Sequence, residues 1–404
     1  MEKYWLIIDS YTFIWKNESY VLVYNSLSGN GYESPLSPLL NDVVEQLLDI
    51  NNLYTVQISV KDLQDKELGN FVSLLREKFC GDIVQQAISV SKPISIVPQL
   101  SINEEVGRDF GSMDNFESFG NNVVRNLLEV TLYLNGKPTE KGVYKQIPWF
   151  LEGTEYLSEN ILKQIFEQMS KTRVSDFTII SHNIFQYPHF GLLTSFLSQH
   201  SLKVSFYTYY KSIVEEAIFH YLMKQDSFSL TMLVDTPVDI EIIESLKSLN
   251  ENLKYTFRIS TIDEYKNALS IIESYKLNAA IIPYFTGYNQ DFFEEFVYLN
   301  KEEILGTRWT KQQIFAHQVI NTTDFGKLNI TPEGKIYANA NFQPVGTVYE
   351  DIRMLVYAEM KNGESWRRTR NAMKPCNNCL YKYLCPSLSN YEIAIGKTNL
   401  CSVQ

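Results

Sequence analysis

Two periodicities alternate along most of this chain. From Glu129 onward, short runs of apolar and β-branched residues recur, bounded by polar residues. They read as strands at Glu129–Leu134, Val174–Ser181, Lys203–Tyr209, Phe228–Val234, Tyr255–Ser260 and Asn278–Phe285. Between and after them, helical spacing appears near 157–170, 190–200, 212–224, 238–249, 263–275 and 291–303. In the first of these helices Ile161, Leu162, Ile165, Phe166 and Met169 form one stripe at the 3.6 period. β–α units in series predict a parallel sheet with right-handed crossovers. Six units fall short of the eight of a closed barrel, so the α/β fold expected is a partial, TIM-like (β/α)6 barrel. After about Leu305 the alternation stops. Leu328-Asn329-Ile330, Thr331-Pro332-Glu333-Gly334 and Lys335-Ile336-Tyr337 read as strand, turn, strand, and Gly346-Thr347-Val348 as one more short strand.

The beginning of the chain follows a different pattern. Tyr4 to Trp15 and Ser19 to Asn25 are rich in aromatic and β-branched residues, as strands are. Gly29-Asn30-Gly31 signals a turn, and Leu40, Val43, Val44, Leu47 and Leu48 then recur at helical spacing. A second helix is expected from about Lys66 to Phe79, with Phe71, Leu74, Leu75 and Phe79 apolar. This combination fits a winged-helix-like α+β module, without the basic recognition helix of a DNA binder. The domains expected are 1–85 (winged-helix-like module), 86–127 (connector), 128–305 (barrel) and 306–404 (cysteine-bearing tail). The connector holds Pro93, Pro98 and a Gly/Asp/Asn-rich stretch from Gly107 to Asn115, then a helical segment.

Composition narrows the classes. Of 404 residues, 45% are apolar and 21% charged, which excludes wholesale disorder. The net charge of −11 argues against nonspecific binding to nucleic acid. No apolar run reaches the ~20 residues that span a membrane. The stretch Tyr4 to Ile8 is cut off by Asp9, too short for a signal peptide, so a cytoplasmic location is expected. Tyr and Phe are abundant, at 26 and 23 residues, which is compatible with peptide-binding surfaces as well as with cores.

Cysteine placement is lopsided. Cys80 stands alone and reads as an ordinary buried thiol, whereas Cys376, Cys379, Cys385 and Cys401 crowd into the tail. The CxxC step lets two thiolates reach one centre from a single tight turn, and the later two complete a shell of four. Four soft thiolates suit an iron–sulfur cluster or Zn²⁺, and spacing alone favours zinc as the commoner occupant. Residues 361–404 carry seven Lys/Arg and two Asp/Glu, a local excess that offsets thiolate charge.

The run Leu328 to Tyr337, then Gly346-Thr347-Val348, Cys376-Asn377-Asn378-Cys379 and Leu384-Cys385-Pro386, resembles the SPASM domain of radical SAM peptide-modifying enzymes. Members of that family carry two auxiliary [4Fe–4S] clusters. The resemblance implies that Cys376, Cys379, Cys385 and Cys401 would hold one of them. The other lacks its ligands: Ala338 and Asn339 lie where a hairpin cysteine is expected, and Ser389 stands at another expected position. The upstream β–α units match the family's barrel, which should carry C-x3-C-x2-C just after its first strand. Here the loop Asn135 to Tyr144 has no cysteine, and Gly136, Glu140 and Val143 occupy the ligand places when Tyr144 is aligned on the family's aromatic. Ser181-His182-Asn183 replaces the glycine-rich patch expected after the second strand. The N-terminal module resembles the precursor-peptide recognition domain fused to such enzymes, where a leader peptide adds a strand beside the wing and packs against a helix. The whole pattern resembles the pseudo-radical-SAM/SPASM proteins of Bacteroidales peptide-modification systems.

That resemblance implies no S-adenosylmethionine cleavage, because the open iron site needs three thiolates that the barrel lacks. The implied role is an accessory factor or scaffold for a ribosomal precursor peptide, a true radical SAM/SPASM maturase, or both. Two alternatives stand: an enzyme using the barrel for non-radical chemistry, and a zinc-stabilised interaction protein. For the first, His182, Asp235 and Tyr284 lie near strand ends where barrels place function, although capping and packing explain them as well. Arg367, Arg368 and Arg370 have the chemistry to hold a carboxylate or phosphate, but a solvated basic face is the plainer reading. No HExxH or GxSxG motif occurs, and no catalytic residue is assigned.

Overall fold

A computed structural model of the chain describes residues 2–98, 123–200 and 202–403. The Gly/Asp/Asn-rich stretch expected in the connector lies outside the described residues.

The N-terminal module runs β1 (Lys3–Ile8), β2 (Thr12–Lys16), β3 (Tyr20–Asn25), β4 (Gly31–Pro35), α1 (Pro38–Leu48), β5 (Thr55–Ser59), α2 (Lys66–Glu77) and β6 (Gly81–Gln85). The apolar run Tyr4 to Trp15 is therefore two strands. Asp9 breaks it: its carbonyl accepts from Thr12 N at 2.9 Å and its carboxylate from Tyr11 N at 2.8 Å, an Asx turn. β2–β3–β4 is an antiparallel meander, whereas β1 is sandwiched between β5 and β6. Ser37 and Asp65 cap the two helices, which bury Leu40, Val43, Val44 and Leu47 from α1 and Leu68, Phe71, Val72 and Leu75 from α2. Cys80 lies fully buried in this core, as read from the sequence.

The barrel follows as β7 (Glu129–Tyr133), β8 (Asn135–Lys137), β9 (Glu152–Tyr156), α3 (Glu159–Met169), β10 (Asp176–Ser181), α4 (Phe190–Gln199), β11 (Lys203–Tyr209), α5 (Glu216–Met223), β12 (Phe228–Val234), α6 (Ile240–Leu249), β13 (Lys254–Ile259), α7 (Ile262–Tyr275) and β14 (Asn278–Pro283). β7, β10, β11, β12, β13 and β14 are parallel and lie in sequence order. Val130, Leu132, Phe177, Ile179, Val204 and Phe206 point outward and share one core with the helices. Alternate residues, among them Tyr133, Ile180, Tyr207, Leu233 and Ile282, form a second cluster on the inner face.

This sheet is strongly curved. Were it flat, β7 and β14 would stand five strand spacings apart, ~24 Å. Yet Tyr144 packs on Tyr133 of β7 at 6.0 Å between ring centroids, while Gln146 exchanges two 3.0 Å hydrogen bonds with the backbone of Phe285, just beyond β14. Two residues of chain span ~7 Å, so the two strand ends have been brought close together.

The expected helix near 291–303 is instead α8 (Gln290–Phe296) and α9 (Lys301–Gly306); Asn300 and Glu303 form a capping box that starts the second helix anew. Then come α10 (Lys311–Val319), β15 (Lys327–Ile330), β16 (Lys335–Tyr337), β17 (Gly346–Thr347), α11 (Ile352–Asn362) and α12 (Asn390–Ile395). β15 pairs in parallel with β7, from Lys327 opposite Glu129 to Ile330 opposite Leu132. The tail hairpin is thus stitched into the barrel sheet, which reaches nine strands. Phe13, Leu22 and Tyr24 of the N-terminal meander pack with Ile304, Ile314, Phe315, Leu380, Tyr381 and Leu384. The two ends of the chain share that core. Among the described residues no helix is long and apolar enough to cross a membrane.

Candidate functional site

Short local devices bring the tail cysteines together. A 3-10 turn spans Cys376–Asn378, with Cys379 N donating to Cys376 O at 3.0 Å, and Cys385 N donates to Tyr381 O at 2.9 Å. Cys401 returns from afar because the tail lies beside Leu299: Leu299 N donates to Leu400 O and Ser402 N to Leu299 O, both at 3.0 Å. All four cysteines are free thiols, and all four line one small cavity together with Leu299, Arg370 and Lys382. As they stand, no three or more His, Cys, Asp or Glu among the described residues form a set that could hold a metal ion. The four thiols share a cavity without forming a ready-made ligand set. Four soft donors around one small hollow, with two cations in its wall, are the donor type that either of the expected groups takes.

Arg370 anchors this loop and corrects the solvated-face reading. It is buried, pairs with the buried Glu392 at 3.1 Å, and donates to Pro386 O at 2.7 Å and to Cys376 Sγ at 3.5 Å. Burial works against its charge, but Glu392 and the nearby thiols outweigh it and raise its pKa. Arg367 donates to Met360 O at 2.9 Å and Arg368 to Ser389 O at 3.0 Å, so these guanidinium groups tie down backbone. Burial pushes the Cys385 thiol up to about 12, with Arg370 pulling the other way.

Where the resemblance expects further cysteines, the structure has polar side chains with other work. Asn339 is buried and donates to both carboxylate oxygens of Asp324, at 3.0 and 3.1 Å. Ser389 caps α12 in a capping box with Glu392.

The barrel mouth is filled. After β7 the chain makes an arch, β8 pairing with β9, and the segment between them lies across the strand ends. Tyr144, Ile147, Trp149 and Leu151 are buried there against Tyr133, Ile180 and Leu233. Gly136 allows the arch: its φ is +92°, and a Cβ would stand 2.7 Å from Leu151 and 2.8 Å from Glu152. Asn135, also buried, accepts from Ser181 Oγ at 2.8 Å and His182 N at 2.9 Å and fastens the arch to β10. Of the positions aligned with cluster ligands, Gly136 sits in β8, Glu140 is exposed and Val143 opens a 3-10 turn. Reading residues one at a time missed Trp149 and Phe150, although two adjacent aromatic residues after Pro148 were a visible signal of a buried plug.

The strand-end residues His182, Asp235 and Tyr284 do converge, around Arg258. Asp235 accepts from Tyr209 Oη at 2.9 Å and lies 3.8 Å from the Arg258 guanidinium. That guanidinium sits 4.7 Å from the Trp149 ring and 5.3 Å from Tyr284. His182 is exposed, its ring 4.8 Å from Phe150, and burial with an opposing pull from Asp235 lowers its pKa. The set reads as packing that fastens the plug.

A large groove separates the N-terminal module from the cysteine loop. It encloses about 1140 Å³ between Trp15, Lys16, Asn41 and Leu48 on one side and Asn377, Cys379, Lys382 and Tyr383 on the other. β2, which contributes Trp15 and Lys16, is an edge strand of its sheet. Among the described residues Asn377 Oδ1, buried in this wall, has no hydrogen-bond partner.

No family model and no curated protein matches this chain. Solved structures with a similar overall arrangement include SuiB of Streptococcus suis bound to precursor peptide SuiA, with 11% identity over 98% of this chain and 97% of that one and a TM-score of 0.46. SuiB bound to S-adenosylmethionine shows 10% identity over 97% of each chain, with a TM-score of 0.46. AnSMEcpe with bound AdoMet shows 12% identity over 64% of this chain and 88% of that chain, with a TM-score of 0.40. Likeness of this size does not establish common chemistry.

Proposed function

We propose that this chain is a catalytically inactive, pseudo-radical-SAM/SPASM protein. In this reading it binds a ribosomal precursor peptide, a radical SAM/SPASM maturase, or both, as a cytoplasmic accessory factor. The observation that carries the reading is the filled mouth. Radical initiation needs an open iron site above the strand ends, and Tyr144, Ile147, Trp149 and Leu151 occupy that space with no cysteine among them. The four-part division at 1–85, 86–127, 128–305 and 306–404 belongs to the same proposal.

Cys376, Cys379, Cys385 and Cys401 would hold one [4Fe–4S] cluster, with zinc the alternative. Bound through four thiolates, either group supplies a cross-link with no open coordination position. This chain's residues do the rest. Arg370 and Lys382 balance thiolate charge from the cavity wall, and the Leu299 pairing carries Cys401 to its place. The groove beside β2 supports the peptide half of the reading: an edge strand offers backbone hydrogen bonds, Trp15 offers a ring, and Asn377 Oδ1 waits for a donor.

The test uses the anaerobically reconstituted full-length protein. About four iron and four sulfide per chain are expected for the cluster, against about one zinc for the alternative. No 5′-deoxyadenosine should form with S-adenosylmethionine and a reductant; its formation overturns the inactive reading. Leader-peptide binding, followed by fluorescence anisotropy, should weaken by about tenfold or more in Trp15→Ala. Failure of the unaltered protein to bind any precursor peptide or maturase removes the accessory role.

A further inference from the structure

Beneath the plug, the lumen of the barrel is not filled. A cavity of about 290 Å³ remains there. Tyr133 and Tyr207 rise into it from the strands, Tyr144 from the plug and Tyr391 from α12, while Asp324 and Glu129 supply carboxylates to its wall. Lys327 is the one cationic side chain lining it, so the fixed charge of the wall is −1 when both acids are ionised.

The polar groups of this wall are not all answered from within. Tyr133 is 97% buried (3% exposed), and among the described residues its hydroxyl has no hydrogen-bond partner; nor has that of Tyr207. Both hydroxyl groups line the cavity and are open to whatever fills it. Asp324, 6% exposed, accepts from Asn339, from Asn321 at 3.2 Å and from Ser365 at 2.8 Å, all neutral donors. Glu129 accepts from Thr178 at 2.9 Å and stands 3.9 Å from Lys327. Both members of that pair are part-exposed, so the cavity meets solvent at the strand starts, on the side away from the plug.

We propose that the lumen is a binding site for a small organic cation, an alkylammonium group flanked by tyrosine rings and answered by Asp324 and Glu129. Electron-rich ring faces and carboxylates both favour a cation, and the same wall repels an anion. An apolar guest of equal size would leave the Tyr133 and Tyr207 hydroxyls without a partner. The same ammonium chemistry belongs to a free amine or to a lysine side chain of a peptide. The site is independent of the cysteine loop and of the groove beside β2, and it does not require the accessory-factor reading.

Isothermal titration of the full-length protein with n-pentylammonium, 1-pentanol and pentanoate tests the proposal. The ammonium is expected to bind at least about tenfold more tightly than either isostere. N-acetyl-lysine N-methylamide forms a second arm: binding equal to that of the free amine assigns the site to a peptide side chain, and exclusion assigns it to a free amine. Asp324→Asn should abolish the preference for the ammonium, and Tyr207→Leu should weaken ammonium binding several-fold. Because Asp324 also organises Asn321, Asn339 and Ser365, Glu129→Gln serves as the second charge variant if Asp324→Asn does not fold. Carbon-13 labels on the tyrosine rings give an independent readout, with Tyr133 and Tyr207 shifting on titration. Equal binding of pentanol and the ammonium, or no binding by any probe, overturns the proposal and leaves a hydrated lumen.

Discussion

The barrel mouth and the cysteine loop have opposite characters. The mouth has no sulfur and is plugged by aromatic and aliphatic side chains. The loop keeps four thiols around a hollow, with Arg370 and Lys382 in its wall. Packing of the first kind supplies its own stability, because apolar burial needs no guest. The second leaves four soft donors bordering a space, an arrangement that a bound group would stabilise. The difference separates a place that side-chain packing has filled from one whose soft donors still border a space.

The largest effect should come from the loop. Cys385→Ser removes a buried ligand, and a loss of more than about 4 kcal/mol in unfolding free energy is expected if the loop is held by a bound group. Denaturant melts of metal-loaded protein measure it. A loss below about 1 kcal/mol would make the loop as self-sufficient as the mouth and erase the contrast.

Next comes the mouth itself. Trp149→Ala takes out a 2% exposed ring that also faces Arg258, with ~3 kcal/mol expected to be lost and no change in metal content. A gain of S-adenosylmethionine binding by this variant would mean that the plug merely covers a preserved site. Gly136→Ala should cost about 2 kcal/mol, since its positive φ and the closeness of Leu151 leave no room for a methyl group. A neutral outcome in thermal melts would show that the arch can move aside.

The smallest effect concerns pH. His317 is buried beside the cysteine loop, its ring nitrogen Nδ1 2.9 Å from Tyr383 O and its ring 4.8 Å from Trp309. Burial lowers its pKa; the Tyr383 carbonyl works against this and the Arg370 charge adds to it. The unfolded chain therefore binds the proton more readily, and stability should fall as pH drops below about 6.5. His317→Gln should flatten that part of the stability curve, while an unchanged slope would place the acid sensitivity elsewhere.

Much of the fold can be read from residue order. Runs such as Lys203–Tyr209 alternate outward and inward side chains, and stripes such as Leu162, Ile165 and Met169 mark helix faces. These signals are local, because period and burial are set by a few neighbouring residues. The interruption at Asp9 was visible in the sequence, but that it turns the chain between two strands follows from its hydrogen bonds to Tyr11 and Thr12. The role of Arg370 was not legible, because its partner Glu392 lies 22 residues away, across the loop. The groove was equally hidden, since Trp15 and Tyr383 meet only when the two ends of the chain dock.

By itself the sequence determined the serial β–α units, the four tail thiols and the lack of any cysteine between Cys80 and Cys376, for these are matters of residue type and spacing. The tertiary structure alone decided that β15 would extend the parallel sheet beside β7, that Trp149 would seal the strand ends, and that the lumen beneath would stay hollow. The physical reason is sequence distance. Strand pairing, plug and cavity depend on atoms separated by tens to hundreds of residues, and their packing has no local period to betray it.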